Sequence, residues 1–243
     1  MTVRIELFGG VRVSAMGRPI ALPSDFPRAA LAFLAAHRGC VFSRDELATR
    51  LWPDLDPARG RASVSTALWR MRRIPEIAAI IQAPSRTTLV LPADRSNWVD
   101  VDAFTRRLTW LQAARTPDLR RARITAGLWK ADPFVDIEGE WAALERARLE
   151  ALRSEALDLW MRAAHDAVRE SETLHAASRL IEAEPFEEAP RALRCQILVR
   201  RGSAARARAE HRDFTAFLQD ELGVDPEFDP RGMPAQISPA SAT

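Results

Sequence analysis

Two helix starts lie close together early in the chain, and they constrain its fold more than any other feature. Ser43 and Glu46 stand three apart, as in a capping box, while Phe42 and Leu47 occupy the positions of a hydrophobic staple. Pro53 limits how far this first helix can run. Asp56-Pro57 then opens the second. The aspartate can accept from free N–H groups, and proline at the first helical position loses nothing by lacking its own. Wound at about 100° per residue, residues 56–73 place Val64, Leu68 and Met71 on one face and Arg59, Ala62, Thr66, Trp69, Arg70 and Arg73 on the other. The stretch carries five arginines (Arg59, Arg61, Arg70, Arg72 and Arg73) and no acid after Asp56. One face can dock on a core; the other is cationic and long enough to reach a partner, the layout of a DNA-recognition helix. Taken alone, a basic amphipathic helix reads first as solvated surface, so its neighbours must decide.

Those neighbours form a consistent set. Residues 3–22 alternate apolar and polar in short pieces (Val3, Ile5, Leu7; Val11, Val13; Ile20, Leu22), punctuated by Gly9-Gly10 and Gly17-Arg18-Pro19, which predicts three short strands joined by tight turns. A small open sheet needs a cover. Residues 25–38, an amphipathic stretch ended by Gly39, supply a helix for it, and His37 near its end suits the helix dipole. After the basic helix, residues 80–91 read as two short strands around Pro84-Ser85-Arg86. An arginine at a hairpin tip reads equally as a solvated turn charge or as a wing that meets phosphate or a minor groove; beside a helix-turn-helix the wing is favoured.

Charge separates the two halves. The net +2 conceals fourteen arginines against nine acids in residues 1–100, and twenty arginines with Lys130 against twenty-four acids in residues 101–243. A basic half joined to a mildly acidic one suggests that only the first meets a polyanion. With a single lysine and no glycine-rich loop before it, a P-loop is excluded in its usual form. Cys40 and Cys195 form no CxxC, so neither a disulfide framework nor a zinc site is indicated. No apolar run approaches the roughly 20 residues that span a bilayer, and the N-terminus lacks a signal peptide's apolar stretch. The chain is therefore expected in the cytoplasm, associated with the nucleoid, and without a membrane partner.

From residue 103 onward the pattern is helical, with helices expected near 103–114, 117–130, 138–169, 172–183, 187–201 and 203–222. Leu149, Leu152, Ala156, Leu159, Trp160 and Ala163 make an apolar stripe on the longest of these. Small residues (Ala176, Ala177, Ala189, Ala192, Ala204, Ala205, Ala209) recur where antiparallel helices could pack closely, in the manner of a degenerate helical repeat. Asp100 and Asp102 could in principle bind a metal, but no third ligand is near, and Asp102 is placed to cap a helix starting at Ala103. Residues 229–243, rich in Pro, Ser and Ala, read as a disordered tail.

These elements resemble the OmpR-type winged helix, and more closely the SARP-type bacterial transcriptional activators. The resemblance rests on Arg28-Ala29-Ala30-Leu31-Ala32-Phe33-Leu34, on Val41-Phe42-Ser43-Arg44-Asp45-Glu46-Leu47 ending in Leu51-Trp52-Pro53, and on Val64-Ser65-Thr66-Ala67-Leu68-Trp69-Arg70-Met71-Arg72-Arg73. Thr87-Thr88 stands where that family's wing usually carries Gly-Tyr, and Trp69 replaces a smaller, more polar residue. The second half resembles the family's bacterial transcriptional activator domain, a tetratricopeptide-like module. Here the matching residues are Asp132-Pro133-Phe134 with Trp141, Glu145-Arg146-Ala147-Arg148-Leu149, Glu184-Pro185-Phe186-Glu187-Glu188 and Glu221-Leu222-Gly223-Val224-Asp225-Pro226.

The expected fold is mainly α: a winged helix-turn-helix with small β-sheets over residues 1–97, an all-α tetratricopeptide-like array over 98–228, and the tail. The expected function is sequence-specific transcription regulation on double-stranded promoter DNA. Thr66, Trp69, Arg70 and Arg73 are candidates for base edges or groove contacts, and Arg28, Arg44, Arg59, Arg61, Arg72 and Arg86 for phosphate and wing contacts. The resemblance implies activation from promoter repeats, contact with RNA polymerase, and protein contacts or self-association through the helical half. No receiver domain precedes the winged helix, so phosphorelay control within the chain is not expected. The histidines (His37, His165, His175, His211) are dispersed and no serine has a nucleophile-elbow context, so neither catalytic residues nor a cofactor nor a metal is expected. A rival reading, supported by the outward Trp69 and the missing Gly-Tyr of the wing, is a protein-interaction adaptor that uses the helical array, with a winged helix that binds protein instead of DNA.

Overall fold

The computed structural model describes residues 2–230 and divides into two compact units, one built from residues 2–110 and 127–152, the other from 111–126 and 153–230. In the first unit, β1 (Val3–Glu6), β2 (Arg12–Ala15) and β3 (Arg18–Ile20) form the three expected strands, each antiparallel to the next. The alternation that predicts them places Val3, Ile5 and Leu7 wholly in the core. Between the sheet and the basic helix come α1 (Asp25–Ala36), β4 (Phe42–Ser43) and α2 (Arg44–Leu51). The basic helix itself is α3 (Pro57–Arg72), and a single turn, α4 (Pro75–Ala78), follows it.

The capping chemistry read from the sequence is present at both helix starts. The Glu46 N–H donates to the Ser43 hydroxyl at 3.1 Å, and the Ser43 N–H donates back to the Glu46 carboxylate at 2.7 Å. The Asp56 carboxylate accepts from Ala58 and Arg59, both at 3.1 Å. Gly60 carries a reason that periodicity cannot show. It is buried where α3 crosses α2, and a Cβ there would lie 3.1 Å from the Ala48 Cβ. The two helices close on each other because this position has no side chain. Gly60→Val is therefore expected to destabilise the chain by about 1–3 kcal/mol through overpacking, read as a lowered denaturation midpoint, whereas Ala62→Val on the exposed face leaves the midpoint nearly unchanged.

The sheet has a fourth strand. After β5 (Thr88–Leu89), which pairs antiparallel with β4, β6 (Asn97–Val99) lies parallel to β1, giving the order β3-β2-β1-β6. Three residues carry too little pattern to announce a strand, and a parallel partner more than ninety residues away leaves no local signature. β6 spans the 97/98 position at which the sequence suggests a division. The helix after it, α5 (Asp100–Gln112), begins earlier than expected. Asp102 does not cap a helix at Ala103; its carboxylate instead pairs with Arg38 at 2.6 Å and Arg106 at 2.9 Å. Asp100 is buried and accepts from the backbone N–H groups of Leu7 (2.9 Å), Phe8 (3.0 Å) and Val101 (2.8 Å). Burial raises its carboxyl above the ordinary range, against the lowering effect of those bonds.

Residues 132–136 complete this unit. Gly9 N–H donates to Asp132 O at 2.9 Å, Phe134 N–H to Leu7 O at 2.9 Å and Val11 N–H to the Asp136 carboxylate at 2.9 Å. Phe8 packs on Phe104 (ring centroids 5.6 Å apart) and Trp129 (4.8 Å), and Phe33 on Trp141 (5.2 Å). Arg146, in the first half of α7 (Glu140–Asp166), donates to Phe134 O at 3.0 Å and Ile137 O at 3.2 Å. The Asp132-Pro133-Phe134 and Trp141 signature thus helps to build the unit that carries the winged helix.

The second unit contains α6 (Leu119–Ala126), the second half of α7, α8 (Glu170–Ala183), α9 (Ala189–Arg200) and α10 (Ala204–Leu222). Its core joins Leu111, Ala122 and Ala126 to Leu157, Trp160 and Met161 and to Ala176, Ala177 and Leu180. Among the small residues singled out, Ala176 and Ala177 are buried and Ala189 and Ala205 are exposed, whereas Ala207 packs with Cys195 and Leu198. Alanine content alone does not say which helical face turns inward. The break before α8 falls at Val168, at φ +57°. Burial pushes the Cys195 thiol up to about 11. The chain folds back after α10: Glu227 N–H donates to Glu188 at 2.8 Å, and Phe228 packs on the Cys195 cluster. Of the tail expected over 229–243, residues 231–243 lie outside the described residues.

Candidate nucleic-acid interface

The two faces of α3 are those that the helical wheel gives. Val64, Leu68 and Met71, joined by Gly60 and Ala67, are buried against α1 and α2. Arg59, Ala62, Thr66, Trp69, Arg70 and Arg73 are exposed, as are Arg61, Ser65 and Arg72. The outward face therefore offers guanidinium groups, two hydroxyls and one indole with little of its surface committed to the core. Trp69 is 59% exposed.

The cations differ in how they are held. Arg70 Nη1 donates to the Ser24 hydroxyl at 2.8 Å, and Arg73 lies over the Trp69 ring with Cζ 4.9 Å from its centroid. Arg59 faces Asp56 at 3.3 Å and Arg61 faces Asp45 at 3.5 Å, both as open surface pairs that a phosphate can replace. Arg72 and Arg86 are exposed and have no partner among the described residues. Arg28 is the most committed of the set, bonded to Asp25 at 2.8 Å and 3.6 Å from Asp136. Arg44 is half-buried at the start of α2, with its Nε buried and unbonded. Not every arginine of the basic half faces outward. Arg38 is almost wholly buried and donates to Asn97 Oδ1 at 2.7 Å as well as to Asp102.

The wing is built with little regular sheet. Gln82 and Val90 exchange both backbone hydrogen bonds at 2.9 Å, and β5 continues onto β4. Hydroxyls shape the tip: Ser85 N–H donates to Thr88 Oγ1 at 3.1 Å, and Ser85 Oγ lies 2.8 Å from the same oxygen. This cluster occupies the place of the family's Gly-Tyr pair and leaves Arg86 at the exposed turn. Arg44 N–H donates to Thr87 O at 2.9 Å, tying the start of α2 to the wing. Ser24 is the residue that sequence reasoning misses. Its position before α1 signals a cap, yet its side chain caps no backbone group and faces Arg70 instead.

The comparisons agree with this architecture. The bacterial transcriptional activator domain matches residues 99–237. The chain is 28% identical over 229 residues to the regulatory protein AfsR of Streptomyces coelicolor, and 24% identical over 226 residues to that of Streptomyces griseus. Each alignment takes in 92% of this chain but only 23% of the relative, so the chain spans about a quarter of the length of these relatives. Among solved structures, Mycobacterium tuberculosis EmbR, in complex with a low-affinity phosphopeptide, is similar in fold, with a TM-score of 0.76 at 19% identity over 94% of this chain and 63% of that one. No described helix is long and apolar enough to cross a membrane. With more than half of its length matched by that domain, and a winged helix in front of it, the chain belongs to the bacterial transcriptional activator domain family of SARP-type regulators.

Proposed function

We propose that the chain is a sequence-specific DNA-binding transcription regulator that activates from promoter repeats, with α3 in the major groove. The observation that carries this reading is the exposed row Thr66, Trp69, Arg70 and Arg73 on a helix whose opposite face is fixed in the core. Arginine can pair two-fold with guanine and threonine can meet a thymine methyl. Arg59, Arg61, Arg72 and Arg86 anchor phosphates, with Arg28 and Arg44 nearer the edge of the contact. Residues 1–97 supply the DNA contacts, and residues 98–228 supply contacts to RNA polymerase and self-association. The chain is not an enzyme in this reading.

Salt dependence tests it. With six phosphate contacts, affinity of the full chain for duplex DNA falls by about a thousandfold between roughly 50 and 200 mM salt. The adaptor reading, which the exposure of Trp69 favours, predicts no measurable duplex affinity at the lower salt concentration, and that result would remove the DNA reading.

A further inference from the structure

Two of the three arginines at the C-terminal end of α3, Arg70 and Arg73, take their direction from a neighbour. Ser24 stands at the start of α1 with a fully extended backbone (φ −173°, ψ 177°) and makes no side-chain cap; its hydroxyl accepts from Arg70 Nη1 at 2.8 Å. Trp69 lies one helical turn before Arg73, and the guanidinium rests over its ring at 4.9 Å. Because the indole is 59% exposed, the core does not explain its presence. These two contacts leave the recognition chemistry open. A guanidinium that rests on a ring by its face keeps its in-plane N–H fork free for a partner. The Ser24 bond engages Nη1 of Arg70 and leaves Nε and Nη2, a pair of in-plane donors, for a partner.

We propose that Ser24 and Trp69 are positioning residues that fix Arg70 and Arg73 before DNA arrives, each arginine then reading one guanine through O6 and N7. This inference rests on the DNA reading above and deepens it. An exposed arginine samples many rotamers, and ordering it on binding costs entropy. An arginine already held loses less, but only on a duplex whose guanine meets the held fork. Positioning of this kind raises discrimination among sequences more than affinity for DNA in general. Three residues on a helix advance about 4.5 Å, so the two guanines fall within one or two base-pair steps of each other.

The test is binding-site selection by the full chain from a random duplex library, repeated with Ser24→Ala, Ser24→Thr, Trp69→Ala and Trp69→Phe. The wild type is expected to select two closely spaced guanine positions. Trp69→Ala weakens the preference at one of them about fivefold, within the range of cation–π contacts, and Ser24→Ala weakens the other. Each alanine variant loses more affinity on the selected duplex than on unselected duplex, and thermal melting confirms that each variant folds. Trp69→Phe and Ser24→Thr, which keep the ring and the hydroxyl, restore discrimination. In the Arg73→Ala background Trp69→Ala should have no further effect. A full additional loss there would overturn the proposal, because Trp69 would then contact DNA itself. So would guanine preferences that survive both alanine variants. If the wild type selects no sequence at all, the DNA reading fails first, and that outcome is distinct from either.

Discussion

Replacing Arg70 or Arg73 with alanine is expected to cost about 1–3 kcal/mol of affinity for the preferred duplex and to relax specificity at one base pair. Removing both should bring binding close to that for random DNA. The reason is geometric. Both side chains leave the outward face of a helix whose inward face, Val64, Leu68 and Met71, is buried and cannot rotate to compensate. Arg72→Ala should behave differently. Arg72 is exposed without a partner, so as a phosphate contact its loss weakens all duplexes alike and lowers the salt slope by about one. Titrations of the three variants against preferred and scrambled duplexes separate these outcomes. Equal losses on both duplexes for Arg70→Ala and Arg73→Ala would place these residues on phosphates and leave the sequence to be read elsewhere.

The second large effect concerns the fold. Asp100→Ala is expected to destabilise the chain by about 3–5 kcal/mol, because the buried N–H groups of Leu7 and Phe8, together with that of Val101, lose their acceptor. Asp100→Asn keeps an acceptor oxygen and removes a buried charge, so it should cost much less. The direction of the pKa shift adds a pH dependence. Because the folded-state carboxyl lies above its ordinary value, the folded chain binds that proton more tightly than the unfolded chain. The proton-linked part of this site's stability is therefore present in full below the unfolded pKa and is lost as pH rises through the folded one, while the hydrogen bonds to Leu7, Phe8 and Val101 hold at neutral pH. Chemical denaturation of the wild type and both variants at neutral and mildly acidic pH checks the ranking and the sign. An alanine variant as stable as wild type would refute the role given to this carboxylate.

What was legible in the sequence was local. The Ser43 box, the Asp56-Pro57 start and the two faces of α3 follow from residues within a few positions of one another, and the structure places them as expected. What was not legible depends on distant partners. A three-residue strand, β6, pairs with β1, and residues 132–136 bond to Leu7, Gly9 and Val11 just beyond that strand. A serine before α1 faces an arginine of α3. The packed unit around the winged helix is for this reason larger than residues 1–97: Phe8 needs Phe104 and Trp129, and Phe33 needs Trp141. Charge counting has a similar limit. It cannot tell Arg38, which holds Asn97 and Asp102 from a buried position, from Arg72, which faces solvent.

The central claim is that α3 reads DNA sequence, and selection from a random duplex library by the full chain tests it most directly. The account predicts enrichment of one guanine-containing motif, lost when Arg70 and Arg73 are both alanine in a chain that still melts cooperatively. A folded wild-type chain that enriches nothing over the starting library would contradict it.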